Sequence, residues 1–513
     1  MQSSRTWRTS LNYISDDTIS SEILINVVFM KYYRINQQVI FRHFGDFGYL
    51  TDNRNFGYTL FGNEYTLGDE IISETGADIV SCLKKTPLSI DEIINEVIKI
   101  FEPEADLNSN VVDFLELLSS KGFIISGDSF EECMNSRAIV RNDTQEFAEN
   151  DLKAIDTQEF LSKYFGERPF PTSIHVEIAS ECNERCVHCY IPYEFKQDLI
   201  DENLFDSILS QAIELKLLHI TISGGEPMLH PHFIDFMRKC READLSVNIL
   251  SNLTLLNDEM IKEMKLNPLL SVQTSIYSMQ ADIHDGITHQ NGSLNRTITS
   301  VIKLIKNHIP VQINCPILKN NVSSYQEVKE WATKQNIYMG VDYSIIAQYN
   351  HNKKNINCRL SAEELRYVIS EQFSSDSSVR EEFEKNIIER RKKTDNDYIC
   401  SVCNSSICIG PNGNVFPCVG WSSKVLGNIK FQSLKDVWIK SEVVKELRVI
   451  KFKDFTKCGN CSSKDFCTIC MVRNSNESSS GNPFELSSYF CDMARIKKEI
   501  YDDYCCHRNQ KMQ

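Results

Sequence analysis

Between residues 174 and 344 short β-branched runs alternate with amphipathic segments of helical length, and this alternation restricts the possible folds more than any other feature of the chain. A strand, a helix and a further strand joined in that order return to one sheet in parallel, so the pattern predicts a parallel β/α architecture. Six strands are expected: IHVEIAS (174–180), LHITIS (218–223), LSVNILS (245–251), LSVQTSI (270–276), VQINCP (311–316) and YMGVDYS (338–344). Helices fit between them at 201–216, 231–243, 257–265, 293–307 and 323–335. Six strands, where a closed barrel has eight, predict an open, partial (β/α)6 TIM-like barrel over residues 171–345, with a helical connector at 346–397.

A chain of 513 residues exceeds one ordinary core, and three domains are expected. Residues 35–127 read as a small domain with an aromatic, β-prone start, VIFRHFGDFGYL (39–50). Two helical stretches follow, LSIDEIINEVIKIF (88–101) with Ser89 as N-cap, and NVVDFLELLSSKGFIIS (110–126), whose helix should stop near Lys121-Gly122 before a strand FIIS. Residues 128–170 form a polar, acidic linker carrying one or two helices, and residues 1–34 an extension without an evident role. Within that extension the apolar segment 22–30 is short and follows acids and hydroxyls, unlike an export signal; Met30 is an alternative start. No apolar run is long enough to cross a bilayer, so a soluble, cytoplasmic protein is expected. The net charge of −15 and pI near 5.3 argue against nucleic acid or an anionic membrane as partner and favour a small or peptide substrate.

Nineteen cysteines without an export signal imply a reducing compartment, where clustered thiolates usually bind metal. More than half of them crowd between 400 and 506 among glycines, asparagines and serines, a segment expected to bury little apolar surface and to be held by metal. In a β/α barrel, functional groups sit on loops after the strands' C-terminal ends. After the first strand comes ECNERCVHCY, with Cys182, Cys186 and Cys189. Three thiolates leave one iron of a [4Fe–4S] cluster open for an outside ligand; a zinc site is the alternative, but only His188 is at hand to close it. After the second strand comes SGGEPML, where Gly224 and Gly225 allow close backbone approach to a ligand and Glu226 places a carboxylate suited to an ammonium group beside it. Gly-Gly-Glu-Pro is also a common turn composition, and the two loops are weighed together because they occupy one rim on neighbouring strands.

Together these residues resemble the radical S-adenosylmethionine (SAM) superfamily, whose CxxxCxφC motif stands here as Cys182 to Cys189, with His188 as the aromatic followed by Tyr190, and whose GGEP motif is Gly224, Gly225, Glu226 and Pro227. The resemblance implies that the open iron chelates SAM, that the Gly-Gly-Glu loop holds its amine, and that reductive cleavage yields a 5′-deoxyadenosyl radical that abstracts hydrogen. It also implies polar contacts to SAM from later strands, for which Ser251, Asn252, Ser275 and Asn314 are the matching candidates. A serine or asparagine at a strand end is more often only a cap.

The order Cys400, Cys403, Gly413, Cys418, then Cys458, Cys461, Cys467, Cys470 and Cys491 resembles a SPASM domain at 398–513, although the last pair is separated by two residues rather than three. The resemblance implies two auxiliary [4Fe–4S] clusters, one on Cys400, Cys403, Cys418 and Cys470, the other on Cys458, Cys461, Cys467 and Cys491, with Cys408 a possible replacement for Cys400 or Cys403. Structural zinc knuckles are the alternative. The N-terminal domain, with ETGADIV at its centre, resembles PqqD-like leader-recognition elements and has a winged-helix-like pattern. That implies a ribosomally made precursor peptide whose leader adds a strand to the sheet edge.

The combination predicts a radical SAM peptide maturase forming cysteine thioether crosslinks of the sactipeptide or ranthipeptide type, served by an electron donor such as flavodoxin or ferredoxin. Other crosslinks, epimerisation, or sulfatase-maturase-like oxidation of a protein side chain are the alternatives. Cys315, Arg296, Cys505 and Cys506 are open: Cys315 could face substrate or be buried, Arg296 could bind a carboxylate or be solvated, and the last two read as surface residues.

Overall fold

The computed structural model describes residues 31–52, 67–102, 106–136, 170–375, 377–392, 394–400 and 402–511. Most of the expected extension, including segment 22–30 and Met30, and the linker from 137 to 169 therefore lie outside the described residues. The chain divides into two compact units, Met1–Leu161 and Ser162–Gln513.

In the first unit the aromatic stretch folds as a hairpin of β2 (Val39–His43) and β3 (Phe47–Asp52), joined by β4 (Asp69–Ser73). A second sheet pairs β1 (Tyr32–Ile35) with β5 (Leu88–Ser89) and β6 (Ile124–Gly127). Ser89 caps the helix Ile90–Val97 through a capping box with Glu92, a motif whose loss typically costs about 1 kcal/mol. The helix Leu107–Ser120 stops before Gly122, whose φ of +83° suits a residue without a Cβ. Ile79, Ile93, Val97, Val111, Leu115 and Leu118 close the core over Tyr33 and Leu50.

In the second unit β7 (Ser173–Ala179), β8 (His219–Gly224), β9 (Ser246–Leu250), β10 (Leu270–Ser275), β11 (Val311–Pro316) and β12 (Met339–Asp342) pair in chain order, all parallel. Helices Glu202–Glu214, Phe233–Glu242, Asp258–Leu266, Ser293–Lys306 and Tyr325–Lys334 occupy the five expected positions. Along β7, Ile174, Val176 and Ile178 enter the apolar core, while His175 on the alternate face bonds the Ser223 hydroxyl of β8.

Three findings depart from the sequence expectations. The helix Ala281–Thr288 was not expected, because its only aliphatic residues are Ile283 and Ile287 and Gly286 stands between them. The barrel sheet does not end at six strands: β13 (Ser406–Ile409) pairs in parallel with β7, and β14 (Asn414–Phe416) and β15 (Gly427–Asn428) continue it to nine. Nor is the cysteine-rich segment poor in buried apolar surface. Val415, Trp421, Leu434, Val437, Trp438, Leu447, Phe490 and Met493 join the core cluster of the barrel, so hydrophobic packing also holds this segment. Helices Ala362–Ser375 and Ser377–Arg391 fill the expected connector. No helix among the described residues is long and apolar enough to cross a membrane.

His219 and His284 are buried, and burial lowers each imidazole from the usual 6.5 to about 4. A depressed folded-state value means that the unfolded chain takes up these protons first. The two residues therefore withdraw stability as pH falls from about 6.5 towards 4. Both rings are expected to keep neutral-imidazole NMR shifts down to pH near 5, and a midpoint near 6.5 for either would contradict the packing.

Candidate functional site

The C-terminal ends of β7 to β12 open on a cavity of about 560 Å³, and Cys182, Cys186 and Cys189 line it from the loop leaving β7. Burial raises the Cys182 thiol to about 12, and it raises Cys186 well above its usual range, with Glu184, Cys189 and Cys182 adding to the effect. Thiols so desolvated become thiolates only against a strong local positive charge, such as coordinated iron. Among the described residues no three His, Cys, Asp or Glu side chains are gathered around a single-ion position. The three thiols line one wall-forming loop of a cavity whose volume has room for a polynuclear cluster with a small ligand.

The glycine pair makes this arrangement possible. Gly225 N donates to Ala179 O at 2.7 Å and Glu226 N to Glu181 O at 2.8 Å, drawing the loop after β8 onto the start of the cysteine loop. A Cβ on Gly224, whose φ is +136°, would lie 1.8 Å from Ala179 O, and one on Gly225 would lie 2.2 Å from Glu181 O. The close approach that excludes side chains here is to neighbouring backbone; both glycines also line the cavity.

Glu226 departs from the expectation that it stands beside a ligand. It is fully buried, and its carboxylate accepts from Ser251 Oγ (2.7 Å), Asn252 N (2.8 Å) and Met228 N (3.0 Å). The physical reason is local: the ends of β8 and β9 leave these donors unpaired, and the carboxylate is within reach of all three. Asn252 in turn donates to Asn183 Oδ1 at 2.9 Å, closing a network between three loops. Pro227 is buried at the start of the short 3-10 helix Pro227–Leu229.

His188, Tyr190, Ser251, Asn252, Ser275 and Asn314 all line the cavity. His188 is packed edge-on against Tyr277 with Nε2 at 3.5 Å from the phenol oxygen, and its buried Nδ1 has no partner among the described residues. An orphaned ring nitrogen on the wall of such a cavity is a polar group a bound ligand can satisfy. Tyr190 reaches Glu177 Oε1 at 3.4 Å, and burial raises Glu177 to about 7. Cys315 is buried, Arg296 donates to Asn291 O at 3.1 Å, and of the last two cysteines Cys506 is exposed and Cys505 half-buried.

Sequence reasoning missed Lys196, Tyr277, Asp342 and Arg473, which line the same cavity. Burial opposes the charge of Lys196, but Cys189 and Cys182 outweigh it and hold the ammonium above its usual range. Position after strand ends could have pointed to Tyr277 and Asp342. For Lys196 and Arg473 no spacing signal exists.

The cysteines past residue 400 separate into two neighbourhoods. Burial, then Cys470 and Cys400, raises Cys418 to about 12, and Cys403 is raised likewise by burial with Cys400 and Cys418 nearby. Cys458 is raised to about 11 by burial and then by Cys467, Cys491 and Cys461. Cys408 is buried on β13, in register with His175 of β7. Cys418 and Cys470 line the same cavity as the first triad.

Residues 176–332 match the radical SAM superfamily, so the barrel and its thiol-lined mouth define a radical SAM enzyme. Residues 400–462 match the SPASM iron–sulfur cluster-binding domain, and the chain is therefore a radical SAM protein with a SPASM domain, requiring SAM and iron–sulfur clusters. Over 330 residues it is 25% identical to the AdoMet-dependent heme synthase of Methanosarcina barkeri, covering 59% of this chain and 92% of that protein. Over 329 residues it is 25% identical to the subtilosin biosynthesis protein AlbA of Bacillus subtilis, covering 61% and 70%. Its fold is similar to that of Streptococcus suis SuiB in the crystal structure bound to the precursor peptide SuiA, with a TM-score of 0.58 at 17% identity, covering 89% of this chain and 99% of that one.

Gly224→Ala should be more damaging than its size suggests, since a methyl group 1.8 Å from Ala179 O forces a strand end to move. We expect a loss of about 3 kcal/mol or more in thermal unfolding and loss of measurable SAM binding by calorimetry. Glu226→Ala, which strands three donors, should weaken SAM binding at least about tenfold through loop displacement.

Proposed function

We propose that the chain is a maturase that crosslinks a ribosomally made precursor peptide, forming cysteine thioethers of the sactipeptide or ranthipeptide type. The observation that carries this reading is the shared cavity: the Cys182, Cys186 and Cys189 thiols and two thiols of the SPASM domain, Cys418 and Cys470, face one chamber. In this reading the first three thiols hold the SAM cluster, which with SAM supplies hydrogen-atom abstraction. Gly224, Gly225, Ser251, Asn252, Ser275 and Asn314 surround SAM with His188 and Tyr190, while Glu226 and Pro227 hold the loop in place. Cys400, Cys403, Cys418 and Cys470 form one auxiliary set, and Cys458, Cys461, Cys467 and Cys491 the other.

One relative is named a heme synthase, so support for a peptide substrate comes from the N-terminal unit. The likeness to SuiB covers 89% of the chain, whereas Ser162–Gln513 accounts for 352 of 513 residues, so it extends into that unit. Its two three-stranded sheets have the edge strands β2, β4, β5 and β6, and an extended leader peptide can add to such an edge through backbone hydrogen bonds. AlbA and the SuiA-bound SuiB lend support by their names. A cytoplasmic setting and a flavodoxin or ferredoxin as electron source complete the proposal.

Anaerobic reaction of the reconstituted enzyme with its cognate precursor, followed by tandem mass spectrometry, tests it. A loss of about 2 Da per bond, with fragments linking a cysteine to its acceptor, is expected. Unchanged mass with solvent deuterium uptake would instead indicate epimerisation. Alanine at Cys182, Cys186 and Cys189 together should abolish 5′-deoxyadenosine formation. Leader peptide should bind the full chain, and failure to do so would favour sulfatase-maturase-like chemistry on a protein side chain.

A further inference from the structure

We propose that the basic rim around Cys458, Cys461, Cys467 and Cys491 is the docking surface for an acidic one-electron carrier protein. The inference rests on reading those four thiols as the holders of an iron–sulfur cluster. Of the eight auxiliary thiols, Cys400, Cys461 and Cys491 are exposed, and two of these three belong to this set. A redox group held so close to the surface is within electron-transfer reach of a partner that docks there.

The charge around it runs against that of the whole chain. The protein carries a net −15, yet residues 451–465 hold Lys451, Lys453, Lys457 and Lys464 against only Asp454 and Asp465. Arg390 donates to Asp465 O at 3.4 Å and to Thr468 Oγ1 at 2.6 Å, which places its guanidinium against the loop that carries Cys467. Lys464 sits within the loop, its N–H donating to Cys461 O and its carbonyl accepting from Cys467 N. A hollow of about 360 Å³ beside Cys467 is lined by Arg390, Arg391 and Lys464 together with Asp395 and Asp465, and Arg391 pairs with Asp465 at 3.1 Å, which leaves Arg390 and Lys464 as its cations without an ion pair among the described residues.

Some exposed lysines elsewhere meet carboxylates, as Lys440 does Asp436 and Lys445 does Glu442, while others, such as Lys306 and Lys334, make no ion pair among the described residues but stand far from any cysteine set. Lys457 and Lys464, both exposed, make no ion pair among the described residues. Uncompensated positive charge on an acidic protein attracts an acidic partner over about a Debye length and orients it, at little cost in solubility. On docking, the carrier gives up one electron and the iron–sulfur group gains it, with no bond made or broken and no proton moved.

The test uses the full chain with reconstituted clusters and an acidic flavodoxin as probe, with Kd measured by calorimetry at low and high salt. Lys457→Glu with Lys464→Glu should raise Kd at least about tenfold at low salt and flatten its salt dependence. The distant pair Lys306→Glu with Lys334→Glu should change Kd by less than about twofold. Iron and sulfide content is measured on every sample, and the neutral pair Lys457→Ala with Lys464→Ala serves if charge reversal costs iron. An unchanged Kd in the rim variant, equal weakening in the distant pair, or weakened precursor-peptide binding in place of weakened flavodoxin binding would overturn the docking surface. Iron content too low for the auxiliary clusters in the parent protein would instead overturn the reading of the thiols, and dithionite-driven deoxyadenosine formation should be the same in both charge-reversed proteins.

Discussion

The approach of the Gly224–Gly225 backbone to the chain leaving β7 governs the geometry of the cavity. Parallel pairing of β7 with β8 brings the two loops side by side, and two hydrogen bonds, from Gly225 N and Glu226 N, hold them together. No side chain fits at either glycine, because the space a Cβ needs is occupied by carbonyl oxygens. Once the loops are this close, the Glu226 carboxylate lies against the end of β9 and takes up three donors there. Its burial makes the arrangement stiff, since each donor deprived of it would be stranded in a dry interior.

That stiffness matters for a site made of desolvated thiols. Partial burial raises the Cys182 and Cys186 thiols, so a coordinated cation would favour their ionisation. Pairing of β13 with β7 extends the same sheet on the other side, and a continuous apolar core runs from the barrel into the C-terminal segment. Cys418 and Cys470 reach the barrel's cavity because strand pairing and core packing bring their segment there. Of the thiols from residue 400 onward, Cys418 and Cys470 thereby face the chamber, whereas Cys400, Cys461 and Cys491 are exposed.

Much of this was legible in the chain. Strand and helix periods located all six parallel strands and five of the intervening helices, because a strand buried on both faces and an amphipathic helix leave strong local patterns. The helix Ala281–Thr288 escaped because two isoleucines around a glycine give too weak a period. The three added strands escaped because β14 and β15 are only three and two residues long and because β13 pairs with β7, far earlier in the chain. At the site, cysteine spacing drew attention to the thiols, but Lys196 and Arg473 belong to no motif, and the three donors that meet Glu226 leave no local signal.

The sequence by itself determined the parallel β/α order, the capped helix at Ser89 and the placing of the triad on the loop after the first barrel strand, whereas the backbone that excludes a side chain at Gly224 and Gly225 is a tertiary neighbour. The first three follow from local period and chain connectivity, both of which are properties of short segments. Only the tertiary structure decided which donors Glu226 would satisfy, that the cysteine-rich segment would join the barrel's sheet and core, and that Cys418 and Cys470 would share a cavity with Cys182. Those outcomes depend on which distant surfaces exclude water from each other, and no local pattern records that.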